Sequence, residues 1–424
     1  MLGVRRFIGS RTGQNLLALY GVQVANYVLP LLMLPYLARV LGPGGWGLLA
    51  IVQSFAQYLS LLVEYGFVLS ATREVARYRE DRMRLKQILS SVLGAKLILA
   101  LLALGVTAFF AELVPSLRED RRLLWSGVFW GVALAFSPAW FFQGLERLRF
   151  VAALEVFSKS LAVVMIFLLV RSPSDAWWVL FVQGVASTLS SGVAMWLAWR
   201  EVGFAWPSVA SSLEALRSGW GLFFFRAAVS LYTVGNAFIL GLFVSPQTVA
   251  YYAGAERLTK AFLGLLEPLN RVFFPRISHL VNHSPIQAGI LAKRVVKAMG
   301  IGGGLLAGAV VFLAPWIVLL LLGPDFGESV PAMRVLAFLL PLIALSNALG
   351  IQWMLALRLD RPFNAVILCA GLLNLGLALL LVPRWSYMGM AYAVVLVEVF
   401  VTFAIMLYLW LTGKSPWLLG GKKL

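Results

Sequence analysis

Twelve stretches of this chain are apolar for long enough to cross a lipid bilayer, and that regularity leaves few architectures open. They fall at about residues 15–36, 46–69, 88–113, 123–145, 151–170 and 176–199, and then at 219–244, 249–274, 298–322, 330–357, 363–382 and 389–411. A helix needs roughly 20 apolar residues to span about 30 Å of hydrocarbon. Strands of a membrane barrel alternate apolar and polar positions, whereas runs such as LLWSGVFWGVALAF and IGGGLLAGAVVFLAPWIVLLLLG are apolar on every side. At 61% hydrophobic, 12% charged and a mean hydropathy of +0.88, the chain has too little polar surface for a soluble domain of this size. The fold class predicted is therefore all-α and polytopic, with the lipid bilayer as the principal solvent.

The chain starts amphipathic (VRRFIGSRTGQNLLALYG) and runs into the first span without a small-residue cleavage site, so that span is expected to be retained. Cytoplasmic loops keep Lys and Arg. With the N-terminus inside, 22 such residues fall on the inner side, among them Arg5, Arg6, Arg73, Arg77, Arg217, Lys293 and Lys423. Only Arg39, Arg118, Arg121, Arg122, Arg171 and Arg384 fall outside. This bias predicts both termini in the cytoplasm. The net charge of +17 is explained by that topology and by anionic head groups, and no basic soluble module exists to serve a nucleic acid. Cys369 lies within a span, without a disulfide partner, and is expected to pack there. Gly302, Gly303 and Gly304 sit inside an apolar segment, where they favour close helix packing rather than a phosphate loop.

A weak duplication relates the halves: LGPGGWGLLAIVQSF after the first span and FVSPQTVAYYAGAERL after the seventh align Pro43 with Pro246 and Gly47 with Ala250. The expected organisation is an N-terminal six-helix bundle (1–199), a cytoplasmic linker (200–218) and a C-terminal six-helix bundle (219–424), working by alternating access across a central space. A twelve-helix transporter is complete as a monomer, which is the oligomeric state expected.

Charges carried into the membrane are costly, at least about 2.5 kcal/mol near its centre, and usually face a wet cavity. Lys96, Lys159, Arg226, Arg257, Lys260 and Arg271 are such cations, with Glu155, Glu256, Glu267 and Glu398 as the anions. Lys96 and Arg226 either snorkel to the inner interface or line a lumen. Glu155 and Lys159, four apart, either neutralise each other or serve a site. Arg257 and Lys260 share a helix face, with Glu256 expected to point elsewhere, and that pair most resembles an anion site. Arg271, near the inner boundary, reads as a head-group anchor. Pro30 and Pro35 mark the first span as a helix that bends, statically or during transport. Gln23, Asn26 and Asn236 either line a cavity or bridge helices. His279 and His283 are spaced four apart without a third ligand, so no metal site is expected, and no catalytic constellation appears. The chain is not expected to be an enzyme.

The segments ARVLGPGGWGLLA (38–50), EYGFVLSATREVA (64–76), PAWFFQGLERL (138–148) and AYYAGAERLTKAF (250–262) resemble the polysaccharide flippases of the multidrug/oligosaccharidyl-lipid/polysaccharide superfamily. O-antigen (Wzx-type) translocases are the nearest in pattern, and the resemblance covers essentially the whole chain. It implies a fold like that of the multidrug exporters of the superfamily and a bacterial inner-membrane location. The implied activity moves an undecaprenyl-diphosphate-linked oligosaccharide to the outer leaflet through a cationic cavity, driven by an ion gradient or the membrane potential. On that reading Arg226, Lys159, Arg257 and Lys260 are the diphosphate candidates, with Arg39 and Arg73 near the cavity mouths. Glu256 and Glu398 are candidate sites for a coupling ion, Na+ or H+, with no other cofactor. Trp140, Phe141 and Phe142 are either sugar-stacking residues or interfacial anchors. A polysaccharide polymerase and a chain-length regulator are the partners such a role would bring. A cation-coupled multidrug exporter of the same superfamily, or a membrane scaffold for synthesis enzymes, are the competing readings; the excess of buried cations argues against the exporter.

Overall fold

The computed structural model describes residues 11–418, with the side chains of 11–28, 225, 228, 231, 232 and 267–271 outside the description. Arg5, Arg6, Gln23, Asn26, Glu267, Arg271, Lys422 and Lys423 accordingly lie outside the described side chains. Every regular element among the described residues is helical. This is the bilayer's demand that backbone groups be satisfied within a segment.

Eight helices among the described residues are long and apolar enough to cross a membrane. Two of them are double. The helix Arg11–Glu64 breaks at Gly42, whose φ of 62° and ψ of 178° leave the helical region and suit a residue without Cβ. The helix Asp360–Leu411 breaks at Trp385 and Ser386, just after Pro383. Val209–Thr233 and the consecutive pair Pro246–Gly264 and Glu267–His283 supply the seventh and eighth expected spans. The twelve apolar stretches of the sequence are thus all helical.

The chain divides into two compact units, Met1–Ala227 and Ala228–Leu424, and the boundary falls inside the helix Val209–Thr233. In the first unit, Arg121–Ala135 packs along both Ala176–Val202 and Arg11–Glu64, and Leu148–Leu169 packs on the same two partners. Gly127 and Gly131, four apart, make this approach possible. A Cβ on Gly131 would overlap the carbonyl of Ala56, and one on Gly127 would come 2.5 Å from Val52 Cγ1. Small residues at this spacing are a standard route to close helix packing in membranes.

In the second unit a core of Ala292, Val296, Met299, Ala348, Trp353 and Val401 joins Pro285–Leu321 to the π-helical segment Asn347–Met354 and to Asp360–Leu411. Of the Gly302–Gly304 run only Gly303 makes the close approach expected of it: a Cβ there would lie 2.8 Å from Pro341 Cα, while its two neighbours face open space. Cys369 is exposed on its helix, not packed in the interior as the sequence suggested.

Five spans are more broken than their hydropathy implies: the second turns at Tyr65–Gly66 and the seventh is interrupted at Val234–Gly235, between Val209–Thr233 and Asn236–Gly241. The fourth ends at Ala135 and resumes as the short helix Ala139–Gly144, the eighth breaks at Leu265–Leu266, and the tenth passes through Ser329–Leu336, Leu339–Ser346 and the π segment. Each break exposes backbone groups that need partners.

Candidate functional site

The break in the fourth span finds its partner in Lys96. In an unbroken helix the Ala135 carbonyl would accept from the Ala139 N–H, but Pro138 ends the helix and Ala139 N–H turns to Ser137 Oγ at 3.4 Å. Lys96, 2% exposed on the neighbouring helix Arg82–Leu113, donates from Nζ to Ala135 O at 2.6 Å and to Ser137 O at 3.4 Å. Its ammonium closes a helix C-terminus, where unpaired carbonyls and the helix dipole favour a cation. Of the two roles expected for Lys96, snorkelling and lumen lining, neither is the one observed.

Arg226 meets an anion in the same unit. Tyr65 and Gly66 both take positive φ, 51° and 82°, and turn the chain sharply after Glu64, in the EYGF stretch. The helix Val209–Thr233 lies against that turn: a Cβ on Gly66 would touch Leu222 Cβ at 3.2 Å, and Tyr65 stacks on Phe223 with centroids 4.6 Å apart. One turn further along, Arg226 Nη2 reaches Glu64 Oε2 at 2.9 Å. The pair is one-sided, since Nη1 is buried without a hydrogen-bond partner. A guanidinium satisfied at one edge retains the capacity for a second, anionic acceptor. Lys96 lies within electrostatic reach of the same carboxylate.

Lys159 and Glu155 pair at 2.5 Å on one face of Leu148–Leu169, and both are about one-third exposed. Self-neutralisation, one of the two roles open to them, is realised in this state. Arg39, exposed, precedes the Gly42 break, and Arg73, exposed, lies on the short helix Phe67–Arg77. Trp140, Phe141 and Phe142 are 2%, 0% and 7% exposed, so they neither stack on a sugar nor anchor at an interface in this state. They form edge-on pairs with one another and pack with the Phe67–Arg77 helix, where Thr72 Oγ1 donates to Trp140 O at 3.1 Å.

In the second unit Glu256 organises a polar network. Its Oε1 accepts from Asn236 Nδ2 at 3.2 Å and from the Tyr252 hydroxyl at 3.1 Å, and Lys260 Nζ lies 3.1 Å away. Lys260 also donates to the Thr233 carbonyl at 3.0 Å, and Asn374 Nδ2 donates to Asn236 Oδ1 at 3.1 Å. The expectation that Glu256 points away from the Arg257–Lys260 face is thereby corrected: four residues bring Glu256 and Lys260 onto one side of the helix. Arg257 is part-buried on the same helix. Asn236 bridges helices, the second of the two roles it was given, and Asn374 and Tyr252 are members that sequence reasoning missed.

Glu398 stands differently. At 7% exposure it accepts one hydrogen bond, from Ser346 Oγ at 2.6 Å, and has no ion pair among the described residues. Ser346 is the residue that leads into the π-helical segment, a local geometry frequent at functional sites. His279 and His283 stack at 4.2 Å, and His283 Nδ1 contacts the His279 carbonyl.

The fold is that of the multidrug/oligosaccharidyl-lipid/polysaccharide superfamily. It matches the lipid II flippase MurJ in its inward-closed conformation with a TM-score of 0.71 over 93% of this chain and 87% of that one, at 14% identity. An inward-facing multidrug resistance MATE family transporter matches with a TM-score of 0.69 over 95% of this chain and all of the other, at 15% identity. The chain belongs to the polysaccharide biosynthesis protein family, whose model matches residues 12–281. Two relatives named "Putative O-antigen transporter" align along almost the whole length. The one from Escherichia coli (strain K12) is 29% identical over 93% of this chain and 96% of its own, and the one from Shigella dysenteriae 28% over 92% and 97%.

Proposed function

We propose that this protein is a flippase that carries a polyprenyl-diphosphate-linked oligosaccharide, an O-antigen or related polysaccharide unit, from the cytoplasmic to the outer leaflet of a bacterial inner membrane. The observation that carries this reading is the one-sided Arg226–Glu64 pair: a cation on the helix of the seventh expected span, its side chain 30% exposed, with Nη1 buried and unsatisfied until a movement of the helix uncovers it. A diphosphate is the anion that completes such a fork, and it cannot enter hydrocarbon without one. Lys159 and Lys260 each pair with a carboxylate four residues away, Lys260 with the Thr233 carbonyl besides, and both keep exposed surface for a polar head. Substrate phosphate exchanging with these carboxylates keeps every cation paired throughout a cycle. Arg257 joins Lys260 in this role, and Arg39 and Arg73 attract the head group on entry and exit. The prenyl tail stays in lipid.

Glu398 and Glu256 are the coupling sites in this proposal. Sodium takes several oxygen ligands, while Glu398 has a single hydroxyl beside it, which suits a proton. Glu256, already engaged by an ammonium, an amide and a phenol, acts by responding to Lys260. The protein works as a monomer with both termini cytoplasmic, and hands its product to a polymerase and chain-length regulator. The buried carboxyl of Glu398 also favours a second reading, a cation-coupled exporter of cationic drugs, so the test must separate the two.

That test is translocation in proteoliposomes. A labelled undecaprenyl-diphosphate oligosaccharide is placed in one leaflet and its arrival in the other followed with and without a proton or sodium gradient. Wild-type flipping that Arg226→Ala loses, with folding intact, supports the proposal. Absence of flipping together with gradient-driven export of a cationic dye overturns it in favour of the exporter.

A further inference from the structure

The first unit carries a pocket that the transport reading does not use. It has a volume of about 420 Å³, lies between Arg121–Ala135 and Ala176–Val202, and is lined by Arg122, Trp125, Ser126, Phe129, Trp177 and Phe181. Its size suits a lipid head region or a small ligand. Trp125, Phe129 and Phe181 remain 48%, 37% and 37% exposed, so its wall opens onto the outer surface of a membrane-spanning bundle. The molecules that meet this surface are bilayer lipids.

Its charge runs against two local tendencies. Arg121 and Arg122 occupy the first turn of their helix, where the dipole disfavours cations and where no acidic residue is present. They also sit on the side of the protein that Lys and Arg otherwise avoid: with Arg118 they make up half of the six cations assigned there. Arg118 is committed to Glu112, whereas Arg121 and Arg122 are exposed and make no ion pair among the described residues. The neighbouring carboxylates do not answer them. Asp120 accepts from the Leu123 N–H as the helix cap, and Asp175 accepts from the Ser172 hydroxyl and from the Arg171 and Ser172 N–H groups.

We propose that this pocket is a seat for an anionic glycerophospholipid, its phosphate held by Arg122 and the glycerol and upper acyl region lying among Trp125, Phe129, Trp177 and Phe181. A guanidinium beside aromatic rings at head-group depth is complementary to a phosphate joined to an apolar chain. The seat lies on the sparsely basic side of the first unit and is separate from the diphosphate candidates Arg226 and Lys159.

Native mass spectrometry of the delipidated, detergent-solubilised full chain, titrated with phosphatidylglycerol, tests this. Wild type is expected to retain at least one phosphatidylglycerol that Arg122→Gln binds about fivefold more weakly, the equivalent of about 1 kcal/mol for one cation at a lipid phosphate. Arg384→Gln, which removes an outer-side cation elsewhere, is expected to leave retention unchanged, and Arg122→Lys to restore part of it. Trp177→Leu, assayed on protein that remains monodisperse, is expected to weaken the same site. Equal binding by wild type and Arg122→Gln overturns the proposal. So does equal retention of uncharged diacylglycerol, or an Arg122-dependent site that takes undecaprenyl phosphate and not phosphatidylglycerol.

Discussion

Replacing Lys96 with Met separates a structural cation from a transport cation by magnitude. The ammonium satisfies the Ala135 carbonyl at 2.6 Å and assists that of Ser137, both at the C-terminal break of Arg121–Ala135. Leaving such a carbonyl buried and unpaired costs about 1–3 kcal/mol, and loss of a cation at a partly buried helix C-terminus adds up to about 2 kcal/mol. Met, similar in length, fills most of the volume and spares the cost of burying an ammonium, which offsets part of the loss. A net destabilisation of about 2–3 kcal/mol follows. For a unit of this size that corresponds to a fall in apparent Tm of roughly 4–12 °C. The assay is thermal unfolding of the purified chain in detergent, followed by loss of the monodisperse peak in size-exclusion chromatography, with flipping measured at a temperature where the variant remains folded. The expected outcome is a clear thermal loss with flipping largely kept. A variant that melts with the wild type and fails to flip would refute the capping argument and return Lys96 to the lumen.

Three further outcomes follow from the same geometry. Gly131→Leu places side-chain atoms against the Ala56 carbonyl and is expected to destabilise the first unit by about 1–3 kcal/mol, read in the same thermal assay against Gly308→Leu, which faces open space. Gly66→Ala, at φ 82°, with its Cβ against Leu222, is expected to cost about 1–2 kcal/mol and to weaken the seating of Arg226 on Glu64, seen as a lower Tm and a reduced flipping rate. Glu398→Gln keeps a partner for Ser346 but cannot exchange a proton; flipping is expected to lose its dependence on a proton gradient while Tm shifts by less than about 3 °C, and gradient-driven flipping at the wild-type rate would remove Glu398 from coupling.

What the sequence makes legible here follows the physics that dominates each level. A bilayer accepts only segments that satisfy their own backbone, so hydropathy and length disclose all twelve helices, whereas helix breaks are decided by single residues such as Pro138 and Gly42. The Glu256–Lys260 pair was legible in principle, because four residues make one turn; setting Glu256 aside overlooked that spacing. The pairing of Glu64 with Arg226, and of Lys96 with the Ala135 carbonyl, was not legible, because each joins helices distant in the chain and depends on how they pack. Trp140, Phe141 and Phe142 misled for a related reason: an aromatic cluster near a span end has the same composition whether it faces lipid, sugar or protein, and here the short helix bearing it folds inward.

The placement of charge carries one more consequence for mechanism. Lys159 and Lys260 meet carboxylates four residues away on their own helices, so those pairs survive any rigid movement of the helix that bears them. Arg226 meets a carboxylate on a different helix, and its pair persists only while Val209–Thr233 stays seated on the Tyr65–Gly66 turn. A conformational change that lifts that helix exposes a guanidinium which then needs another anion, while one that reseats it restores Glu64 as the partner. Only the second kind of pair couples the charge state of a site to the position of a helix. Arg226 is therefore a proposed diphosphate ligand whose affinity changes with the position of its helix, and such a change is what a transporter needs to bind on one side and release on the other.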